Sequence, residues 1–190
     1  MADIQTGIHI GKDFIEVIQL KKSVTGYQLI NQGKIEFSKT ETLPNLEISN
    51  LLKQVMVDNH IEPINPITSL PDSQVVLRYF TIPLLPPKER DNAIRFEAQK
   101  YIPFKMAEVA SSYYVLPSRD KKKELKVVFV ATKKDILDKH LEILKEANIE
   151  PKAVEVSSLA LMRLLRIMGF LSPRHLSAIL YLEDDEAVIT

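Results

Sequence analysis

The chain of 190 residues predicts an α/β fold with an inserted strand–helix–strand–strand unit. Three observations carry this. Residues 4–37 alternate β-branched and polar side chains in three runs separated by turn residues, as half-buried strands do. Later segments place apolar residues at helical spacing. Near residue 74 the order changes to strand, proline-started helix, then two more strands.

The first run, Ile4 to Ile10, is followed by a turn at Gly11-Lys12-Asp13. Phe14 to Leu20 is the second strand, Val24-Thr25-Gly26 turns the chain, and Tyr27 to Phe37 is the third. Ser49 is positioned to cap a helix over about 50–60 carrying Leu51, Leu52, Val55 and Met56, closed by Pro63 and Pro66. Ile67 to Leu70 is a short strand and Val75 to Ile82 a longer one. Pro86 and Pro87 open a helix, since proline is tolerated in the first turn, and Ile94, Ala98, Tyr101 and Ile102 form its inward stripe. Ser111 to Leu116 and Leu125 to Thr132 follow as strands. Asp135 caps the next helix, with Leu137, Leu141 and Leu144 inward and Asn148 suited to its end. After a short strand at Lys152 to Val156, Ser157 or Ser158 caps a helix ended by Gly169. That helix is apolar around most of its circumference and predicts cover on two sides. Ser177 to Thr190 reads as one more strand pair.

Composition bounds function. Twenty-five basic and 25 acidic residues cancel, so no strongly basic face points to nucleic acid or an anionic membrane surface. Lys121-Lys122-Lys123 reads as a solvated hairpin tip against a phosphate or lipid patch. With no cysteine, disulfides, thiolate zinc sites and cysteine nucleophiles are excluded. His9, His60, His140 and His175 lack metal-ligand spacing, and no Walker A loop or Gly-x-Ser-x-Gly elbow occurs. The apolar stretch from Leu159 to Leu171 is broken by Arg163 and Arg166 and is too short to span a bilayer. Membrane association is expected only through a partner.

The stretch Ser69-Leu-Pro-Asp-Ser-Gln-Val-Val-Leu-Arg-Tyr-Phe-Thr-Ile-Pro83 and the helix after it to Ile102-Pro103-Phe104 resemble the type IV pilus assembly protein M (PilM) family, as does Val127-Val-Phe-Val-Ala-Thr-Lys-Lys134. Such proteins are actin-like (RNase H-like) and similar to the cell-division protein FtsA. The resemblance implies residues 1–73 plus 151–175 as an actin-like core of the first lobe and 74–150 as the inserted subdomain. Residues 176–190 would then start a second lobe that is absent or truncated.

In that superfamily the first phosphate loop reads Gly-Ile-Asp-Ile-Gly-Ser-x-x-Ile-Lys. Glycines let the backbone approach phosphate, the Asp holds Mg²⁺ or its waters, and the Lys neutralises charge. The matching residues here are Gly7, His9, Gly11, Lys12 and Glu16. The glycines remain, but His9 replaces Asp, Lys12 replaces Ser or Thr, and Glu16 replaces Lys. Imidazole is a poor Mg²⁺ ligand, and Glu16 brings negative charge toward a polyphosphate. At the second loop, where Asp-Ile-Gly is expected, stands Tyr181-Leu182-Glu183-Asp184-Asp185. These acids read as a solvated turn against a divalent-cation site. No cofactor is expected, ATP–Mg²⁺ entering only if the degenerate site still works, and no catalytic residue or metal ligand is assigned.

The resemblance implies a non-catalytic scaffold of a type IV pilus or type II secretion platform, cytoplasmic and peripheral to the bacterial inner membrane. Its implied partner is the cytoplasmic N-terminal tail of a single-pass membrane protein, and the motor ATPase is a second. The related L-type secretion protein fits equally. The alternative is an actin-like ATPase whose second lobe completes the site. Arg95, Glu97, Lys100 and Tyr101 read as ordinary helix surface against a docking face. For the docking reading, Phe96, Tyr101, Ile102 and Phe104 are the expected partner contacts, since aromatic residues favour interface cores.

Overall fold

A computed structural model describes residues 3–37, 43–117, 124–172, 175, 177–183 and 186–189. Lys121 to Lys123, Asp184 and Asp185 lie outside them. The chain divides into two units, residues 1–71 with 139–190 and residues 72–138.

In the first unit β1 (Asp3–Ile10), β2 (Phe14–Ser23) and β3 (Gly26–Glu36) form an antiparallel meander. β4 (Pro66–Leu70) and β8 (Ala153–Val156) extend it by parallel pairing, giving the order β3-β2-β1-β4-β8. One face of this sheet buries Ile8, Ile15 and Val17 against Leu52, Val55 and Met56 of α1 (Asn45–Asp58) and against Leu144 of α3 (Lys134–Glu146), with Ala147 and Ile149 beyond α3. Polar groups in this layer are paired. The Gln19 amide donates to the Glu62 carbonyl at 2.8 Å, and the Asn31 amide donates to Gln19 Oε1 at 3.2 Å. Gly33 is required where β3 passes α1, because a Cβ there would meet the Asn59 amide and Val55 Cγ2.

Three local expectations are corrected. α1 starts at Asn45 behind Pro44, so Ser49 is not its cap but a buried mid-helix residue. Its hydroxyl donates to the Ile143 carbonyl at 2.7 Å, a bond to a distant part of the chain that satisfies it inside the helix. Ser157 opens α4 (Ser157–Ile167) without a side-chain cap bond and donates to the Leu70 carbonyl instead, at 3.0 Å. Among the described residues α4 is not covered on two sides. Its contacts run chiefly to β4 and β8, and Leu164, Ile167 and Met168 are exposed. β9 (Leu180–Glu183) and β10 (Glu186–Ile189) form a separate hairpin.

The second unit is a three-stranded antiparallel sheet of order β5-β7-β6, from β5 (Val76–Pro83), β6 (Val109–Val115) and β7 (Glu124–Lys133). α2 (Pro87–Ala98) starts with proline at its first turn and lays Ile94 and Ala98 against Phe80, Ile82, Val127 and Phe129. The sheet is separate from that of residues 3–36. The second division falls inside α3, at 138/139, rather than after residue 150, because the C-terminal half of α3 packs on the first unit's core.

Candidate functional site

Strand register brings five side chains from five strands into one line on the face of the first sheet opposite α1. Lys34 on β3 is opposite Glu16 on β2, Glu16 opposite His9 on β1, His9 opposite Ser69 on β4, and Ser69 opposite Glu155 on β8. The members pair with neighbours. Lys34 Nζ lies 2.8 Å from Glu36 and 4.0 Å from Glu16, and the Glu36 hydrogen bond holds its pKa above the usual lysine value. His9 Nδ1 is 3.0 Å from Ser69 Oγ, and Glu155 accepts from Arg163 of α4 at 2.7 Å. Above the row is a cavity of about 290 Å³, with Gly7, Ile18 and Ala160 among its apolar walls.

The expected phosphate-loop positions therefore share the β1–β2 hairpin and its face. Gly7, His9 and Glu16 line the cavity, while Gly11 and Lys12 lie at the turn. The Gly11 N–H donates to the Phe14 carbonyl at 2.8 Å, closing that turn. The Phe14 ring fills the space beside Gly11, where a Cβ would stand 2.8 Å from Cε1. The glycine of the turn thus accommodates an aromatic ring from the start of β2. Tyr181 and Leu182 wall a second cavity of about 410 Å³ with Asp13, Phe14, Lys34, Glu36 and Phe37.

On the α1 side of the sheet, His140 Nε2 is 2.8 Å from Thr68 Oγ1, both groups buried. Burial pushes the His140 imidazole down to about 4, and the nearby His9 ring adds to the effect.

The second unit has its own concavity, about 280 Å³, whose walls include Val75, Val76, Ile102, Phe104, Ala131 and Ile136. Lys133 Nζ sits 4.4 Å from the centroid of the Phe104 ring at its edge, a cation–π arrangement. The four aromatic and apolar residues expected at a partner surface separate here. Phe104 and Ile102 line the cavity. Ile102 is only 7% exposed and packs in the module core, so it is a wall rather than a free contact. Tyr101 stacks on Phe80 at 5.8 Å, and Phe96 is 69% exposed on α2. Sequence reasoning missed Lys133, Ser69 and Glu155. Ser69 and Glu155 join the row only through register, which local sequence does not encode; Lys133, two residues beyond the buried Ala131 on β7, carried a usable alternation signal.

The chain matches the model of a family described as type IV pilus assembly protein PilM over residues 7–185. Two solved structures share its fold. One is described as a PilM-PilN type IV pilus biogenesis complex; it is 21% identical with a TM-score of 0.80, over 93% of this chain and 54% of that one. The other is the cytoplasmic domain of EpsL, an inner membrane component of the type II secretion system of Vibrio cholerae. It is 16% identical with a TM-score of 0.56, over 83% of this chain and 59% of that one. The chain thus spans little more than half the length of either. No curated protein matches it. The expected α/β fold with an inserted strand–helix–strand–strand unit is the observed one, and both structures share it.

Proposed function

The chain belongs to the type IV pilus assembly protein PilM family, and from that premise we propose that it is a non-catalytic platform scaffold that binds a membrane partner's tail. The observation that carries this is the internally paired row Lys34–Glu16–His9–Ser69–Glu155, with Arg163 at its end. A Mg²⁺-nucleotide needs oxygen ligands for the metal and cations for the phosphates. Here imidazole stands at the metal position, and Glu16 and Glu155 line the cavity. Lys34 is held by Glu36 and Glu16. A polyphosphate would have to break these pairs and then face two carboxylates.

The partner we propose is the cytoplasmic N-terminal tail of a single-pass inner-membrane protein, with the motor ATPase as a second contact. The protein would then be cytoplasmic and peripheral to that membrane. Among the described residues no helix is long and apolar enough to cross a membrane. The apolar cavity beside Phe104 supports tail binding, because an extended segment that orders on binding needs a pocket for an apolar anchor. Lys133 at its edge favours an acidic or carbonyl-rich neighbour to that anchor.

Two experiments test the reading. Calorimetry of the protein with Mg-ATP is expected to show no binding heat where an intact actin-like site saturates, while a His9→Asp, Lys12→Ser, Glu16→Lys triple variant gains affinity. Tight binding by the unmodified protein overturns the non-catalytic assignment in favour of the ATPase alternative. Fluorescence anisotropy with the tail peptide is expected to give Kd of about 1 μM, roughly −8 kcal/mol. A folded Phe104→Ala variant should bind about tenfold more weakly. Unchanged binding would place the tail elsewhere.

A further inference from the structure

We propose that β6 is a self-pairing edge, through which two copies of this chain join their three-stranded sheets antiparallel about a two-fold axis at Ser112. In the order β5-β7-β6, β6 is bonded to β7 on one side and to no strand on the other among the described residues. A terminal strand presents backbone donors and acceptors to any extended chain, and proteins that avoid such pairing block their edges with charge, proline or a bulge. β6 has none of these. It reads Val109-Ala-Ser-Ser-Tyr-Tyr-Val115, without charge, proline or glycine, and its ladder with β7 runs without a register shift. The opposite edge, β5, carries Arg78 and ends on Pro83.

The sequence of β6 is also complementary to itself. A two-fold axis perpendicular to the sheet keeps the two faces in common, so odd residues meet odd and even meet even. With the axis at Ser112, Tyr114 stands opposite Ala110, Tyr113 opposite Ser111, and Val109 opposite Val115. Each ring meets a small residue, the valines meet each other, and all seven residues are used. Moving the axis one residue either way leaves part of the strand unpaired and sets Tyr113 against Tyr113 or Tyr114 against Glu108. Tyr114 is 63% exposed, and Ser111 and Ser112 are exposed as well, so the strand is accessible to a second copy. A seven-residue ladder buries less than the ~800 Å² per partner of a standard interface, so the dimer is weak and concentration-dependent.

The chain has no cysteine, which makes the test direct. Residues opposite each other in an antiparallel pair have Cα atoms about 4.5–5.5 Å apart, within disulfide reach. Under mild oxidation Ser112→Cys is expected to give a covalent dimer of twice 21.7 kDa, while Thr81→Cys on exposed β5 remains monomeric. In sedimentation equilibrium the mass of the wild type should rise with concentration and that of Ser112→Lys should stay monomeric. Mixing Ser112→Lys with Ser112→Asp should restore the dimer by setting opposite charges at the axis. Cross-linking of Ser112→Cys no faster than Thr81→Cys, a wild type that stays monomeric at every concentration, or a dimer that survives Ser112→Lys would each overturn the proposal.

Discussion

His140 makes the stability of the first unit depend on pH between about 6.5 and 4. Its imidazole is buried against Thr68, and burial holds its pKa at about 4 against an ordinary 6.5. The unfolded chain therefore binds a proton in that window that the folded chain refuses, so stability falls as pH falls. The contribution is full above about pH 6.5 and exhausted below about pH 4. At about 1.4 kcal/mol per unit, the limiting loss is on the order of 3 kcal/mol. At pH 6 roughly 1 kcal/mol of it has gone, and at pH 5 about 2 kcal/mol. The useful comparison is pH 7 with pH 5, where carboxylates still contribute little. Urea unfolding followed by circular dichroism, on the wild type and on His140→Gln, isolates the term. Glutamine retains an amide near Nε2 that can donate to Thr68 and has no proton to take up. Wild type should lose about 2 kcal/mol more than the variant between the two pH values. Parallel losses, within about 0.5 kcal/mol, would mean that His140 is solvated or charged in the folded protein and would refute the reasoning.

Two further perturbations test packing in the same unit. Gly33→Ala should destabilise by about 1–3 kcal/mol in a urea titration, because the added Cβ meets the Asn59 side chain and Val55 at the end of α1. Gln19→Ala should cost about 1–3 kcal/mol, since it removes a buried amide that donates to the Glu62 carbonyl and to the buried Thr6 hydroxyl; a smaller loss would mean that water replaces the amide.

Local chemistry made most elements legible in the sequence. The β1–β2–β3 meander follows from alternation and from turn residues at 11–13 and 24–26, and α2 from proline in its first turn. The departures of His9, Lys12 and Glu16 from a phosphate loop were also legible there, through the resemblance to the superfamily's loop pattern. What the sequence left open concerns partners distant along the chain. Ser49 looks like a helix cap until the Ile143 carbonyl, 94 residues on, is seen to take its hydroxyl. Ile102 reads both as an inward helix residue and as a partner contact until it is found buried in one cluster with Val127 and Phe129. α4 looks buried because periodicity measures which residues are apolar, not what stands against them. The polar row has the same origin: Ser69 and Glu155 come beside His9 only through the parallel register of β1, β4 and β8. Backbone conformation is set within a few residues and can be read there. Register and burial are set by contacts across the whole chain, so only the tertiary structure decided which charges at the candidate site already have partners.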